Sequence, residues 1–432
     1  MSRSRGIWVL GCFVVMSMVA GCLFPFQKQR NLAQAEVRSN STVTLRVKTG
    51  LEVFIASGFR ALQGKRIGLV TNPTGITSDY RTNIDVLAKS KAIKLVALFA
   101  PEHGVRGDAL AGEEVGNSKD ALTGIPVHTL YGATRKPTPA MLKGIDALVF
   151  DIQDIGARSY TYISTLGLCM EGCAENGIPL YVLDRPNPNG GERVEGNITE
   201  PAFRSFVSKY PTPYAHGMTV GEFAKMINGE GWLGGGKRCD LTVIPLEGWN
   251  RGMTWEETRL PWVSTSPHIP TPETAMHYLA TGIVGEQPTL NIGVGYTLPF
   301  AMAGAPGLSA HRMAQELNGR HIPGVYFRPA YWQPFYAAYQ NKPCAGVQIH
   351  YTDKRKAELT RINFELMDVT RKLNPRLNFF PPGRAAMFDK VCGTDKVRRM
   401  FQQGRSASEI WQVWNADASA FRRQREPYLI YK

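Results

Sequence analysis

Titratable side chains that could carry out acid–base chemistry concentrate in two short motifs, Pro101-Glu102-His103-Gly104 and Asp151-Ile152-Gln153-Asp154. Glycoside hydrolysis needs such groups: one carboxyl held protonated as an acid, and a second that activates water or acts as a nucleophile. The catalytic candidates are therefore Glu102, His103, Asp151 and Asp154. For Asp151 a structural role is an equal alternative, because an aspartate after a strand often caps the next turn.

Both motifs follow apolar runs that predict buried strands, Lys94–Ala100 and Ala147–Asp151. Strands at Arg66–Thr71 and Leu180–Asp184 alternate with helical segments, which predicts an α/β fold with a parallel sheet covered by helices on both faces. Ligands bind at the carboxyl ends of the strands in such sheets. The residues that follow the four strands, Asn72, Glu102, Asp151 with Asp154, and Asp184 with Arg185, should therefore share one edge.

Side chains near the same edge could bind a substrate. Arg106, Arg158 and Arg185 could each hold a carboxylate through two parallel hydrogen bonds, and the alternative is that they pair with the nearby carboxylates of the protein. Tyr160 could stack on a sugar ring. The loop from Asp184 to Gly191, with Asn187, is a candidate binding loop, although turn chemistry alone could explain its composition.

Several other chemistries lack their motifs in this sequence. No G-x-G-x-x-G follows the first strand, and neither a Walker A lysine motif nor a G-x-S-x-G nucleophile motif is present. A metal site is conceivable from His103, Asp108, Glu113 and Asp151, but no histidine pair stands at ligand spacing. We therefore expect no metal and no cofactor.

The N-terminus predicts export. Arg3 and Arg5 precede the apolar run Ile7–Val19, and small residues lead to Cys22, as in a secretory signal peptide. The sequence before Cys22 resembles a bacterial lipoprotein box, which predicts lipidation of Cys22 and attachment to the membrane. The non-acidic Leu23 favours an outer membrane, facing the periplasm, where the cell has two membranes.

The formal charge of +14 falls to +12 when Arg3 and Arg5 leave with the signal peptide. An exported basic protein does not routinely meet nucleic acid, so an anionic wall polymer or lipid is the more plausible partner. A solvated surface without a particular partner is an equal alternative. Seven cysteines, widely spaced, do not define a disulfide, and the sequence leaves the oligomeric state open.

The motifs resemble those of the YbbC/NamZ-like exo-β-N-acetylmuramidases. The resemblance rests on Leu69–Gly75, Pro101–Gly104, Asp151–Arg158, Asp184–Pro188 and Pro270–Glu273. It implies a Rossmann-like catalytic domain, a smaller auxiliary domain and a cleft between them. It also implies removal of β-linked N-acetylmuramic acid from the non-reducing end of peptidoglycan fragments, with Glu102 as the acid.

The resemblance completes the domain prediction. We expect a signal peptide over residues 1–22, a tether over 23–45, a Rossmann-like catalytic domain over 46–265 and an auxiliary α+β domain over 266–432. Glu286 stands where the family has a Glu-Gly-Thr-Asn motif, which makes it a substrate-binding candidate. The chain departs from the family at Val294, where an arginine is usual, and at His268, where an asparagine is usual.

Two alternatives to the glycosidase remain at this stage. A metal-dependent hydrolase could use the same cleft. A non-catalytic, wall-binding lipoprotein is suggested by the altered segment from Glu286 to Gly295.

Overall fold

A computed structural model describes residues 46–102, 104–107 and 118–432. The predictions for Cys22, His103, Asp108 and Glu113, and for the segments 1–22 and 23–45, lie outside these residues. Among the described residues, no helix is both long and apolar enough to cross a membrane.

The larger sheet has seven strands in the order β3-β4-β2-β1-β5-β6-β7. Its strands are β1 (Arg66–Thr71), β2 (Lys94–Ala100), β3 (Ser118–Lys119), β4 (Pro126–Thr129), β5 (Ala147–Asp151), β6 (Leu180–Leu183) and β7 (Leu241–Ile244). All neighbouring strands are parallel except the short edge pair β3 and β4. The predicted α/β fold with a mainly parallel sheet is therefore confirmed.

Alternate residues of a strand point to opposite faces of the sheet, and in the central strands both sets are apolar and buried. Helices therefore cover both faces. Leu69 belongs to a hydrophobic cluster that includes residues of α1 (Gly50–Ala56) and α2 (Asn83–Lys89). Val70 belongs to the cluster on the other face, which includes residues of α4 (Tyr162–Asn176) and α5 (Val220–Gly229). Two further short helices belong to this region, α3 (Pro139–Leu142) and α6 (Trp255–Thr258).

The strand order reverses direction at β1, since β2 and β4 lie on one side of it and β5 to β7 on the other. Thr71 pairs with Asp151 at the carboxyl ends of β1 and β5. A crevice opens at such a reversal in parallel sheets. The motifs that begin at Asn72, Glu102 and Asp151 therefore leave the sheet at the place where a ligand site is expected.

The remaining chain forms a smaller α+β region around a three-stranded antiparallel sheet of order β8-β10-β9. Its strands are β8 (Met302–Ala305), β9 (Val325–Trp332) and β10 (Cys344–Tyr351). Its helices are α7 (Pro272–Thr281), α8 (Ala310–Asn318), α9 (Leu359–Leu373), α10 (Ala385–Cys392), α11 (Lys396–Gln402), α12 (Ala407–Trp414) and α13 (Ala418–Arg425). The smaller C-terminal α+β domain is therefore confirmed, and its boundary at residue 266 stays a prediction.

Strands β1, β2 and β5 have the bounds that the sequence predicted, and β6 ends one residue earlier than predicted, at Leu183. The helix after β5, α4, begins at Tyr162. The two preceding residues belong to a turn, in which the backbone N–H of Tyr160 donates to the carbonyl of Ala157 at 3.0 Å. This irregular turn brings Ser159, Tyr160 and Thr161 to the crevice. The five described cysteines are buried and unpaired with one another.

Candidate active site

Glu102 lies in a cavity of about 200 Å³ at the carboxyl edge of the large sheet. Its position follows from Pro101, which directly follows β2 and cannot continue the ladder. The hydroxyl of Thr161 donates to Oε2 of Glu102 at 3.2 Å, and the residue is partly exposed. The cavity is lined by Glu102, Ser159–Tyr162, Ser266–Ile269, Tyr278 and Phe300. A partly exposed carboxyl in a cavity can reach a bound ligand.

Three tyrosine rings form one wall of this site. Tyr160 packs edge-to-face on Tyr162 and on Tyr278, with centroid separations of 5.1 and 5.7 Å. Their hydroxyls are anchored: Tyr160 donates to Oγ1 of Thr265 at 2.7 Å, and Tyr162 to the carbonyl of Thr265 at 2.6 Å. The hydrogen bonds to Thr265 hold this wall in place and give the cavity an aromatic lining.

Asp154 is the second carboxyl group close to this wall. It is 4% exposed, and its Oδ1 accepts from the backbone N–H of Gly156 at 2.7 Å. Its Oδ2 is buried and has no hydrogen-bond partner among the described residues. Burial raises the pKa of Asp154 to about 7. A carboxyl with a pKa near neutrality can exchange a proton at working pH.

The buried carboxyl of Asp154 should make the stability of the protein depend on pH. A raised pKa in the folded state means that stability is full below the ordinary value of 3.8 and is lost as pH rises through about 7. The Asp154→Asn variant lacks this loss, so its stability relative to the unchanged protein should rise by about 4 kcal/mol from pH 4 to pH 8. Urea unfolding of both proteins across that range measures the difference. If the free energies of unfolding of the two proteins changed in parallel with pH, Asp154 would not be titrating over this range.

Glu286 lies beside an adjoining cavity of about 400 Å³, which shares Tyr278 and Phe300 with the cavity of Glu102. Its carboxyl has no hydrogen-bond or ion-pair partner among the described residues, and burial raises the pKa of Glu286 to about 7. Taken together, the two cavities fall within the range of about 300–1,000 Å³ that is usual for ligand sites.

Asn72, predicted as a binding residue, is buried beside the crevice. Its Oδ1 accepts from the backbone N–H of Thr74 at 3.0 Å, while its Nδ2 is buried without a hydrogen-bond partner among the described residues. The Asn72 side chain also interacts with the hydroxyl of Tyr162, a member of the tyrosine wall. Asn72 therefore helps to hold the edge of the site in place.

Asp151 and Arg185 require a correction, because they bind each other rather than a substrate. Nε and Nη2 of Arg185 donate to the two carboxylate oxygens of Asp151 at 2.6 and 3.1 Å, and Asn83 donates to Asp151 at 2.8 Å. Asp151 is fully buried and Arg185 is 4% exposed. The sequence left open whether Arg185 binds a substrate carboxylate or a carboxylate of the protein, and in the structure it binds that of Asp151.

Asp184 and Asn187 likewise bind protein groups, and neither side chain lines the cavity of Glu102. Asp184 is fully buried and accepts from the backbone N–H of Gly221 at 2.7 Å and from the hydroxyl of Tyr431 at 2.6 Å. Burial raises the pKa of Asp184 to about 6. Asn187 donates to the carbonyl of Met218 at 3.1 Å. Both side chains hold the loop to the segments packed beneath it.

The other two arginines also have protein partners. Arg158 is 1% exposed and donates to the carbonyls of Asn197 and Thr212, each at 2.6 Å, and of Val391 at 3.0 Å. Arg106 forms two hydrogen bonds to Asp120, at 2.8 and 3.1 Å, which hold the pKa of Asp120 at about 2. Neither guanidinium lines the cavity of Glu102, which corrects their assignment to substrate binding.

The sequence reasoning missed Tyr278 and Phe300, which complete the wall of the site from the smaller region. Tyr278 lies on α7, whose N-terminus carries the Pro270–Glu273 motif, and its hydroxyl shares a hydrogen bond of 3.0 Å with Ser159. A tyrosine in the helix just after that motif was the available signal. For Phe300 the sequence offered none.

No group of three or more His, Cys, Asp or Glu side chains among the described residues is arranged to hold a metal ion. Three of the side chains considered for a metal site, those of His103, Asp108 and Glu113, lie outside the part of the chain that the structure describes.

The fold and the site define a Rossmann-like α/β protein with an acidic, tyrosine-lined crevice and a second, smaller α+β domain. Residues 67–273 match the N-terminal domain, and residues 276–431 the C-terminal domain, of the exo-β-N-acetylmuramidase NamZ family. The chain belongs to this family.

Similar proteins support the assignment over most of the chain. The chain is 42% identical over 400 residues to the peptidoglycan β-N-acetylmuramidase NamZ of Bacillus subtilis (strain 168), which covers 92% of this chain and 95% of that protein. Crystal structures of two DUF1343 family proteins from Bacteroides fragilis NCTC 9343 are also similar. One has a TM-score of 0.86 at 46% identity and the other 0.72 at 32%; each match covers 90% of this chain and 99% of the solved one.

Proposed function

We propose that the protein is an exo-acting glycoside hydrolase that removes β-linked N-acetylmuramic acid from the non-reducing end of peptidoglycan fragments. The observation that carries the proposal is the position of the Glu102 carboxyl in a cavity walled by tyrosine rings. Membership of the exo-β-N-acetylmuramidase family and the named activity of the Bacillus subtilis relative support the substrate.

In this mechanism Glu102 is the general acid. A bound sugar covers the partly exposed carboxyl and excludes water from it. Glu102 then protonates the glycosidic oxygen as the bond breaks through an oxocarbenium-like transition state. The rings of Tyr160 and Tyr278 pack against the apolar faces of the sugar.

Asp154 is the second carboxyl in this proposal, since Asp151 is occupied by Arg185. Its free Oδ2 and its pKa of about 7 suit a group that accepts a proton from the attacking water near neutral pH.

Release of N-acetylmuramic acid from the disaccharide N-acetylmuramyl-β-1,4-N-acetylglucosamine, with and without a chelator, tests the proposal. We expect release that a chelator does not reduce. Activity lost to the chelator would favour a metal-dependent hydrolase, and binding of the sugar without any release would favour a wall-binding protein.

We also propose that Cys22 is lipidated and that the anchor holds the enzyme to the membrane, in the outer membrane facing the periplasm where there are two. The basis is the charged start, the apolar run and the small residues before Cys22. The Cys22→Ala variant should move from the membrane fraction to the soluble fraction of cell lysates. Retention of that variant in membranes after a high-salt wash would contradict the anchor.

A further inference from the structure

A group of exposed aromatic side chains lies at the surface of the smaller domain. Phe335 is 64% exposed and Tyr336 49% exposed, and the ring of Tyr296 lies 5.9 Å from that of Phe335 at an angle of 33°. We call Tyr296, Phe335 and Tyr336 the aromatic shelf. Exposed aromatic surface is unfavourable in water, and a cluster of this kind commonly marks a binding site.

The aromatic shelf adjoins the two cavities of the active site, although its three rings are not part of either lining. The hydroxyl of Tyr336 is hydrogen-bonded to Nε2 of His268 at 2.8 Å, and His268 lines the cavity of Glu102. Ala337 and Ala338, which follow the shelf in sequence, line the adjoining cavity of Glu286. The shelf therefore extends the site outward from the catalytic carboxyl.

The backbone holds the aromatic shelf in place. The N–H of Phe335 donates to the carbonyl of Gly295 at 2.7 Å, and Gly295 has φ 85°, with no room for a Cβ beside the carbonyl of Tyr336. Ala337, Tyr339 and Asn341 also have positive φ, of 66°, 61° and 57°. Non-glycine residues adopt this conformation at an energetic cost and are concentrated at ligand-binding sites. The loop is thus strained into a shape that presents the rings.

We propose that the aromatic shelf binds the sugar on the leaving-group side of the scissile bond, an inference that rests on the proposed function. Pyranose rings have apolar C–H faces, which pack on the electron-rich faces of aromatic rings. The three rings carry no charge, which fits a neutral N-acetylhexosamine better than a second acidic sugar. The leaving sugar therefore contributes binding energy through the rings of the shelf.

Calorimetry on the Glu102→Gln variant tests the proposal without turnover. The disaccharide N-acetylmuramyl-β-1,4-N-acetylglucosamine should bind about tenfold more tightly than N-acetylmuramic acid alone. Adding Phe335→Ala should abolish this difference, because it removes the ring, whereas adding Phe335→Tyr should preserve it. Adding Tyr326→Ala is the matched control, since Tyr326 is 51% exposed on β9 outside the shelf, and it should change neither affinity.

Equal affinities for the two sugars, or a difference in affinity that persists after Phe335→Ala, would overturn the proposed role of the aromatic shelf. Release of N-acetylmuramic acid by the unchanged enzyme is measured separately and decides the proposed function. Turnover without a contribution of Phe335 to binding would contradict only the role of the shelf. A tenfold difference in affinity that depends on Phe335, in a protein without turnover, would contradict only the hydrolase function.

Discussion

The Glu102→Gln variant is expected to release N-acetylmuramic acid from the disaccharide about a thousandfold more slowly than the unchanged enzyme. Glutamine has nearly the same shape and can still accept from Thr161, which donates to Glu102 at 3.2 Å. It has no acidic proton for the glycosidic oxygen, so kcat should fall while KM changes little. Initial rates over a range of disaccharide concentrations measure both constants.

The leaving group provides a sharper control on the role of Glu102. A nitrophenolate leaves without protonation, so on 4-nitrophenyl β-N-acetylmuramide the deficit of Glu102→Gln should be much smaller than on the disaccharide. An equal deficit on both substrates would contradict a general acid at this position. The Glu286→Gln variant is the comparison within the site: Glu286 lines the adjoining cavity, and we expect its loss to raise KM rather than to lower kcat.

The Asp151→Ala variant is expected to lose about 4 kcal/mol of folding free energy, because it leaves the guanidinium of Arg185 buried without its counter-ion. Asp151 is fully buried, and both of its oxygens accept from Arg185. Urea unfolding at pH 7 measures the loss. The specific activity of the folded fraction at low temperature should stay near that of the unchanged enzyme. A thousandfold loss in a fully folded variant would instead make Asp151 a catalytic residue.

The chain offers a matched control for this buried pair. Arg66 and Asp146 have the same two-bond geometry, with separations of 3.2 and 2.8 Å, but their side chains are 51% and 30% exposed. Water solvates both charges when the partner is removed, so Asp146→Ala should shift the unfolding midpoint far less than Asp151→Ala. Equal shifts would show that burial is not the cause.

The strands that carry the site could be predicted because each needs only local information. An apolar run such as Ala147–Asp151 must be buried on both faces, and Pro101 must end the strand before Glu102. The parallel order of such strands then places Asn72, Glu102 and Asp154 at one edge. Residue types and spacing were enough for this step.

The partners of the polar residues could not be predicted in the same way. Arg158, Arg185 and Asp184 follow strands just as Glu102 does, yet their partners lie 34 to 247 positions away in sequence. A motif records that a charged residue stands at the edge but not whether another segment has already bound it. The walls supplied by Tyr278 and Phe300 were hidden for the same reason.

The sequence by itself determined the family, the placing of polar residues at the carboxyl ends of the strands, and the choice of Glu102 as the candidate acid. These features depend only on residues that are neighbours in the sequence. Only the tertiary structure decided which charges remain available to a ligand. The physical reason is desolvation: a buried ion must be paired or neutral. The fold therefore gives Asp151 to Arg185, leaves Asp154 with a raised pKa, and places the Glu102 carboxyl where a sugar can reach it.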